Sequence, residues 1–175
     1  YIETGSWSTK AIKECSLVGN VNISGTSKET NFNHIPKNLS QKKDSSYLHI
    51  TSNNTIYGTQ FQKFPIPLKT ESYLVADMSS DIFSKTINVA DFDLIYAGAQ
   101  KNLGIPGVTI SIVRDDFIEK NDNPTYLNLY KLINKDSLLN TPPTFAIYVL
   151  SLVTDWMLTM GGINYFERQS IEYSS

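Results

Sequence analysis

Short apolar runs separated by polar, glycine- and proline-bearing stretches divide this chain into alternating strands and helices. Tyr47–Ile50, Tyr73–Ala76 and Leu94–Ala97 are compact runs bounded by turn formers, the pattern of strands buried in a sheet. Across Gly104, Pro106 and Gly107 a further β-branched run, Val108–Val113, follows, and Val21–Ile23 reads as a shorter strand. Helical spacing is clearest in Trp7–Leu17, where Trp7, Ala11, Ile12 and Cys15 share a face and Ser6 is placed to act as N-cap. The longest apolar periodic segment is Ala146–Met160, entered through Thr141-Pro142 and closed by Gly161-Gly162. Its composition suits a core or interface helix, and a core role is the ordinary one. Tyr126–Ile133 predicts a short helix, Gly25–Ser46 and Asp115–Asn123 read as loops with short helical pieces, and Phe64–Pro67 is a loop by its prolines.

Composition narrows the class. A chain of 175 residues allows one domain that buries roughly 70% of its unfolded surface. With 41% hydrophobic and 18% charged residues and a net charge of -2, it has no basic excess to attract nucleic acid or an anionic membrane. Cys15 is the only cysteine, and His34 and His49 lie far apart, so neither a disulfide framework nor a metal site is expected. No segment approaches the ~20 apolar residues of a membrane span, and Tyr1–Lys10 lacks the features of a signal peptide. The expectation is a cytoplasmic protein. Because the sequence opens without methionine and closes on a helical, polar stretch, both ends are expected to be cuts within a longer chain.

Candidate chemistry collects at strand ends. Lys101 sits at the bend between Leu94–Ala97 and Val108–Val113, where partial withdrawal from water would favour its neutral amine, a nucleophile able to form a Schiff base with a carbonyl. Asp77 ends the Tyr73–Ala76 run; such a carboxylate serves as a turn cap or as a catalytic group. Thr51–Gly58 is a cluster of hydroxyl and amide side chains, either a hydrogen-bonded turn or the kind of strand end where open α/β sheets place ligands. Trp7 reads from periodicity as a core or helix-start aromatic. A nucleotide-binding loop at Gly98–Gly107 is excluded, since neither GxxxxGK[ST] nor GxGxxG followed by a helix is present.

The segment YAGAQKNLG, followed by GVT and a strand ending in VRDDF, resembles the cofactor-lysine segment of the phosphoserine aminotransferase family, pyridoxal-phosphate (PLP) enzymes of the aspartate-aminotransferase fold type. TGSW, SNNTIYGTQF and NTPPTF resemble further family segments, and the order of aspartate then lysine also matches. The resemblance implies an α/β/α three-layer domain with a mainly parallel sheet. Residues 1–175 would form the central part of the PLP-binding large domain, lacking its N-terminal part and the C-terminal small domain. It also implies roles. Lys101 would hold PLP, Asp77 would pair with the pyridine nitrogen, Trp7 would stack on the ring and Thr55 would lie against the cofactor. Gln100 would hold the phosphate, as would Asn140 and Thr141 from a neighbouring subunit, making the active unit a homodimer. No metal is implied. The implied reaction interconverts 3-phosphohydroxypyruvate plus glutamate with O-phosphoserine plus 2-oxoglutarate, in serine and pyridoxine biosynthesis. The family's upstream glycine-rich stretch and its substrate-binding His and Arg residues fall outside these residues. After the lysine the family more often has Gly-Pro-Ala-Gly, where this chain has Gly104-Ile105-Pro106-Gly107, a loop of the same length. The alternative is a catalytically incomplete relative that keeps the sheet for structure or interaction only.

Overall fold

The computed structural model describes residues 1–67 and 72–174. Its centre is a four-stranded sheet in the order β3 (Tyr47–Thr51), β6 (Tyr73–Asp77), β7 (Leu94–Gly98), β8 (Thr109–Val113). β3, β6 and β7 run parallel, and β8 returns antiparallel to β7. The fold is therefore α/β with a mainly parallel sheet, as expected. Burial follows topology: β3 and β6 are buried along nearly their whole length, β7 alternates, and the edge strand β8 is the most open, as parallel interior and antiparallel edge positions dictate. Ile50, Leu74, Ala76, Ile95 and Leu103 lie in the core cluster between the sheet and its covering segments.

Around this sheet are two-residue pairs. β1 (Ile2–Glu3) pairs parallel with β2 (Gly25–Thr26), and β4 (Asn53–Asn54) pairs antiparallel with β5 (Thr59–Gln60). The strand expected at Val21–Ile23 is thus displaced to Gly25–Thr26. Ile23 is exposed, so apolarity there reflects no sheet face.

Helix α1 spans Ser6–Cys15. Its N-cap is Gly5, not Ser6: the buried Ser8 hydroxyl accepts from the backbone N–H of Gly5 at 3.0 Å and of Thr4 at 2.8 Å. Ser8 therefore supplies the cap from inside the first turn. Gly5 is required for a packing reason, because a Cβ there would lie 2.5 Å from Asn54 Oδ1. The helix predicted over Tyr126–Ile133 is a 3-10 turn at Thr125–Leu127 followed by α2, Leu129–Ile133. Asn128 divides them by accepting the Lys131 N–H at 3.0 Å as N-cap.

The long apolar helix α3 spans Thr144–Thr159, and α4 spans Ile163–Ser174. Gly161 and Gly162 separate them in the left-handed region, φ 109° and 68°, and the Gly162 N–H bonds Met157 O at 2.9 Å, a glycine-terminated helix end. α3 begins later than Thr141-Pro142 suggested, with Pro143 at its cap. Nor is it a core helix. Only Ala146 and Met157 are buried on it, while Phe145 is 70% and Trp156 53% exposed. Periodicity reports apolarity, not what covers it. Among the described residues no single helix is long and apolar enough to cross a membrane; α3 and α4 meet at an 80° bend.

Candidate active site

Three strand ends and one helix start converge on a single small cavity. It is lined by Trp7, Thr51, Asn53, Asp77, Ser79, Ser80, Gln100 and Lys101, with a volume of about 130 Å³. Parallel strands carry their carboxyl ends to one rim. Thr51 and Asp77 are register partners at the ends of β3 and β6, and Gln100-Lys101 follows the end of β7. A larger groove of about 620 Å³, lined in part by Asp81, Lys85, Trp156 and Phe166, does not include Trp7 or Lys101.

The turn that bears Lys101 is anchored on both sides. Ala99 and Leu103 are buried at 1% and 0% exposure, the Ala99 N–H bonds Val108 O at 2.9 Å, and the Leu103 N–H bonds Ala99 O at 3.1 Å. Asn102 Nδ2 donates to Ile82 O at 2.8 Å. Gly104 and Gly107 take φ 141° and 118°, values that favour glycine; the Gly-Ile-Pro-Gly sequence therefore still turns the chain back into β8. Between these anchors Lys101 Nζ donates to Thr55 Oγ1 at 2.5 Å. The expectation that the bend withdraws Lys101 from water is corrected: Lys101 is exposed. Its flanks are packed by the sheet, but among the described residues nothing roofs the side chain.

Asp77 closes the floor. Its Oδ1 accepts the Ser79 N–H at 2.9 Å, and its carbonyl accepts from Ser52 N and Ser52 Oγ at 2.9 and 3.0 Å. The strand-end turn cap and the carboxylate lining the cavity are the same residue. Thr55 is carried on the β4–β5 hairpin turn, where the N–H groups of Tyr57 and Gly58 bond Asn54 O at 3.2 and 2.8 Å; this cluster, too, is both hydrogen-bonded turn and site wall. Trp7 projects from the first turn of α1, 47% exposed, with Lys10 Nζ 4.5 Å from its ring centroid. A core aromatic would be covered; Trp7 instead is half-exposed and lines the cavity rim.

Gln100 is exposed on the same turn, but Asn140 and Thr141 are not brought to this cavity. They lie exposed just before α3, in a shallow cleft with Tyr126, Leu138 and Pro142. Thr51 and Asn53 line the site from within the Thr51–Gly58 cluster, and Ser79 and Ser80 line it without having been assigned a role from sequence. The signal for these two serines was position alone, two and three places beyond the end of β6. Thr51 Oγ1 is buried with no hydrogen-bond partner, an orphaned polar atom of the kind a bound polar ligand satisfies. A flat aromatic face, a carboxylate, a hydroxyl-bound amine and an unpaired hydroxyl within one rim suit an aromatic carbonyl cofactor with a protonated ring nitrogen.

This arrangement defines an α/β protein with a lysine-bearing cofactor pocket at the carboxyl ends of its parallel strands. Residues 3–174 match the aminotransferase class-V family, and the chain belongs to it. It is 49% identical over 174 residues to phosphoserine aminotransferase of Bacillus subtilis, covering 97% of this chain and 47% of that protein. Against the Desulfotalea psychrophila phosphoserine aminotransferase it is 48% identical over 172 residues, covering 96% of this chain and 47% of that one. A solved phosphoserine aminotransferase from Bacillus circulans superposes with a TM-score of 0.92 at 40% identity, over 97% of this chain and 47% of that one. The PLP-bound phosphoserine aminotransferase of Trichomonas vaginalis superposes with a TM-score of 0.84 at 30% identity, over 97% and 51%. The chain spans about half the length of the curated relatives it matches.

Proposed function

We propose that the polypeptide carrying this chain is a PLP-dependent aminotransferase that interconverts 3-phosphohydroxypyruvate plus glutamate with O-phosphoserine plus 2-oxoglutarate. The observation that carries the reading is the convergence of Trp7, Asp77 and Lys101 on one rim, with Thr55 bonded to Lys101. PLP supplies a ring that takes up the electron pair released when the substrate Cα–H bond breaks. The rest falls to side chains of this chain. Trp7 would hold the ring by its aromatic face and exclude water from it. Asp77 holds a proton on the ring nitrogen by pairing its negative charge with it. Lys101 would anchor the cofactor through its amine and would carry a proton to and from the substrate Cα. Thr55 orients the Lys101 amine, and Gln100 bonds the phosphate.

Asn140 and Thr141 point to assembly. They stand exposed, away from their own chain's Lys101, beside the exposed apolar face of α3. In this reading they reach the phosphate of a neighbouring subunit's cofactor, and the active unit is a homodimer.

The test is chemical. PLP added to the full-length protein should give a visible absorbance, and borohydride should fix the label on a single peptide containing Lys101. Lys101→Ala should lose both the label and turnover. Labelling spread over many lysines, or an alanine variant with normal turnover, would remove Lys101 from its role; a folded full-length protein that takes up no PLP would favour a relative kept for structure alone.

A further inference from the structure

Where β3 ends, four polar side chains follow one another, Thr51, Ser52, Asn53 and Asn54, and three of them donate to partners within the fold. The Ser52 hydroxyl donates to Asp77 O at 3.0 Å, Asn53 Nδ2 to Ser80 Oγ at 3.0 Å and Asn54 Nδ2 to Thr4 Oγ1 at 3.0 Å. Thr51 is the exception. It is 4% exposed, and its Oγ1 is buried with no hydrogen-bond partner among the described residues. A hydroxyl left in this state costs the fold free energy that an apolar group of the same shape would not. Valine would fill the same space without that cost, so the hydroxyl calls for a partner from outside the fold.

Position shows from which side that partner comes. Thr51 and Asp77 are register partners on the adjacent parallel strands β3 and β6, so their side chains leave the same face of the sheet. Both line the cavity that Lys101 also borders. Oγ1 itself is shielded, but a turn about the Cα–Cβ bond exchanges it with the methyl, a group of nearly equal size, and needs no movement of the strand. The backbone there is fixed by the next residue, whose N–H bonds Asp77 O at 2.9 Å.

We propose that Thr51 is a further cofactor-binding residue, its hydroxyl donating to the phenolic oxygen on the ring of bound PLP. The inference rests on the PLP reading and deepens it. That reading pairs the ring nitrogen with Asp77, the carbonyl with Lys101 and the phosphate with Gln100, Asn140 and Thr141. The phenolic oxygen is the polar group of PLP left without a partner. It is also the polar group nearest the ring nitrogen, as Thr51 is the strand neighbour of Asp77. A hydroxyl unpaired in the free protein and paired in the loaded one contributes its hydrogen bond in full to binding, because no bond within the fold is broken to make it.

Full-length protein carrying Thr51→Val or Thr51→Ser tests this through two readouts. Valine keeps the shape and removes the hydroxyl, whereas serine keeps the hydroxyl. In urea unfolding without cofactor, Thr51→Val should be as stable as wild type or more so. Its equilibrium affinity for PLP, titrated by absorbance, should fall about tenfold, the scale of one hydrogen bond, while Thr51→Ser keeps most of the affinity. With 3-deoxypyridoxal 5'-phosphate, which lacks the phenolic oxygen, wild type and Thr51→Val should bind alike. The proposal is overturned by a Thr51→Val protein that binds PLP as wild type does, by a Thr51→Ser protein as weak as Thr51→Val, or by a loss that persists with the deoxy analogue. It is equally overturned if cofactor-free Thr51→Val is less stable than wild type or does not fold, since the hydroxyl is then satisfied within the fold. Wild-type protein that takes up no PLP would defeat the cofactor reading itself, whereas wild type that binds PLP beside an unimpaired Thr51→Val defeats the part given to Thr51 alone.

Discussion

Two apolar stretches of this molecule meet opposite fates. In the β7–turn–β8 hairpin the apolar residues that flank Lys101 are sealed, Ala99 and Leu103 at 1% and 0% exposure, and the amine between them is presented by neighbours from its own chain. In α3 the apolar residues stand in the open, Phe145 at 70% and Trp156 at 53%, and the residues just before it, Asn140 and Thr141, have no business with the local cavity. The first region is finished by its own fold. The second has the character of a surface awaiting cover, since exposed apolar area of this kind marks an interaction site. The contrast separates what these residues organise alone from what must be added from outside them.

The hardest blow to the self-contained region should be Asp77→Asn. Side-chain volume is nearly unchanged and the Ser79 N–H keeps an acceptor, so the fold should persist by circular dichroism, while the charge opposite the ring nitrogen is lost. Turnover of the full-length enzyme should fall by two or more orders of magnitude, about 3 kcal/mol or more of barrier. Near-normal turnover would take Asp77 out of the chemistry.

The division between regions is sharpened by mixing subunits. Lys101→Ala lacks the amine but keeps Asn140, and Asn140→Ala lacks the amide but keeps the amine. If Asn140 serves a neighbour, a mixed dimer contains one intact site, and random pairing of the two variants, each nearly inactive alone, should restore about one quarter of wild-type activity. No recovery after co-refolding would place Asn140 outside the neighbour's site.

A smaller effect probes the buried side. Burial lowers the His49 pKa from 6.5 to about 4, so the unfolded state binds the extra proton first as pH falls. Stability is therefore held above pH 6.5 and declines toward pH 4, by about 3 kcal/mol for this group. His49→Gln should flatten that part of the profile in urea titrations; an unchanged slope would show that His49 is not buried neutral.

Much of this was legible in sequence, for identifiable reasons. β3, β6, β7 and β8 are short apolar runs between strong turn formers, and their ends located Asp77 and Lys101 without knowledge of the sheet. Trp7, Thr55 and Gln100 came from motif likeness, because neither apolarity nor spacing distinguishes a ring face at a cavity rim from one in a core. Ser79 and Ser80 were hidden for a different reason: which side of a strand end faces the cavity is set by register between strands, a tertiary fact. The Gly5 cap escaped for the same reason, since Asn54, the residue that crowds it, is 49 positions away. Two-residue strands such as β2 carry too little pattern to place. The exposure of α3 could not be read from an apolar helix at all, which looks the same whether its cover is its own domain or another subunit.

The antiparallel return of β8 on β7 has a consequence for the order in which the protein folds. This hairpin joins residues close in sequence, so the turn presenting the amine needs only a short loop to close. β6 pairs in parallel with β7 across a longer connection, and the carboxylate reaches the amine only with that pairing, while the indole on α1 comes from farther still along the chain. The amine is thus poised early in a place where nothing can yet be bound well, and cofactor affinity arises with the last pairing to form. PLP, as a ligand of the finished rim, then acts as a latch on the native state rather than a template for reaching it.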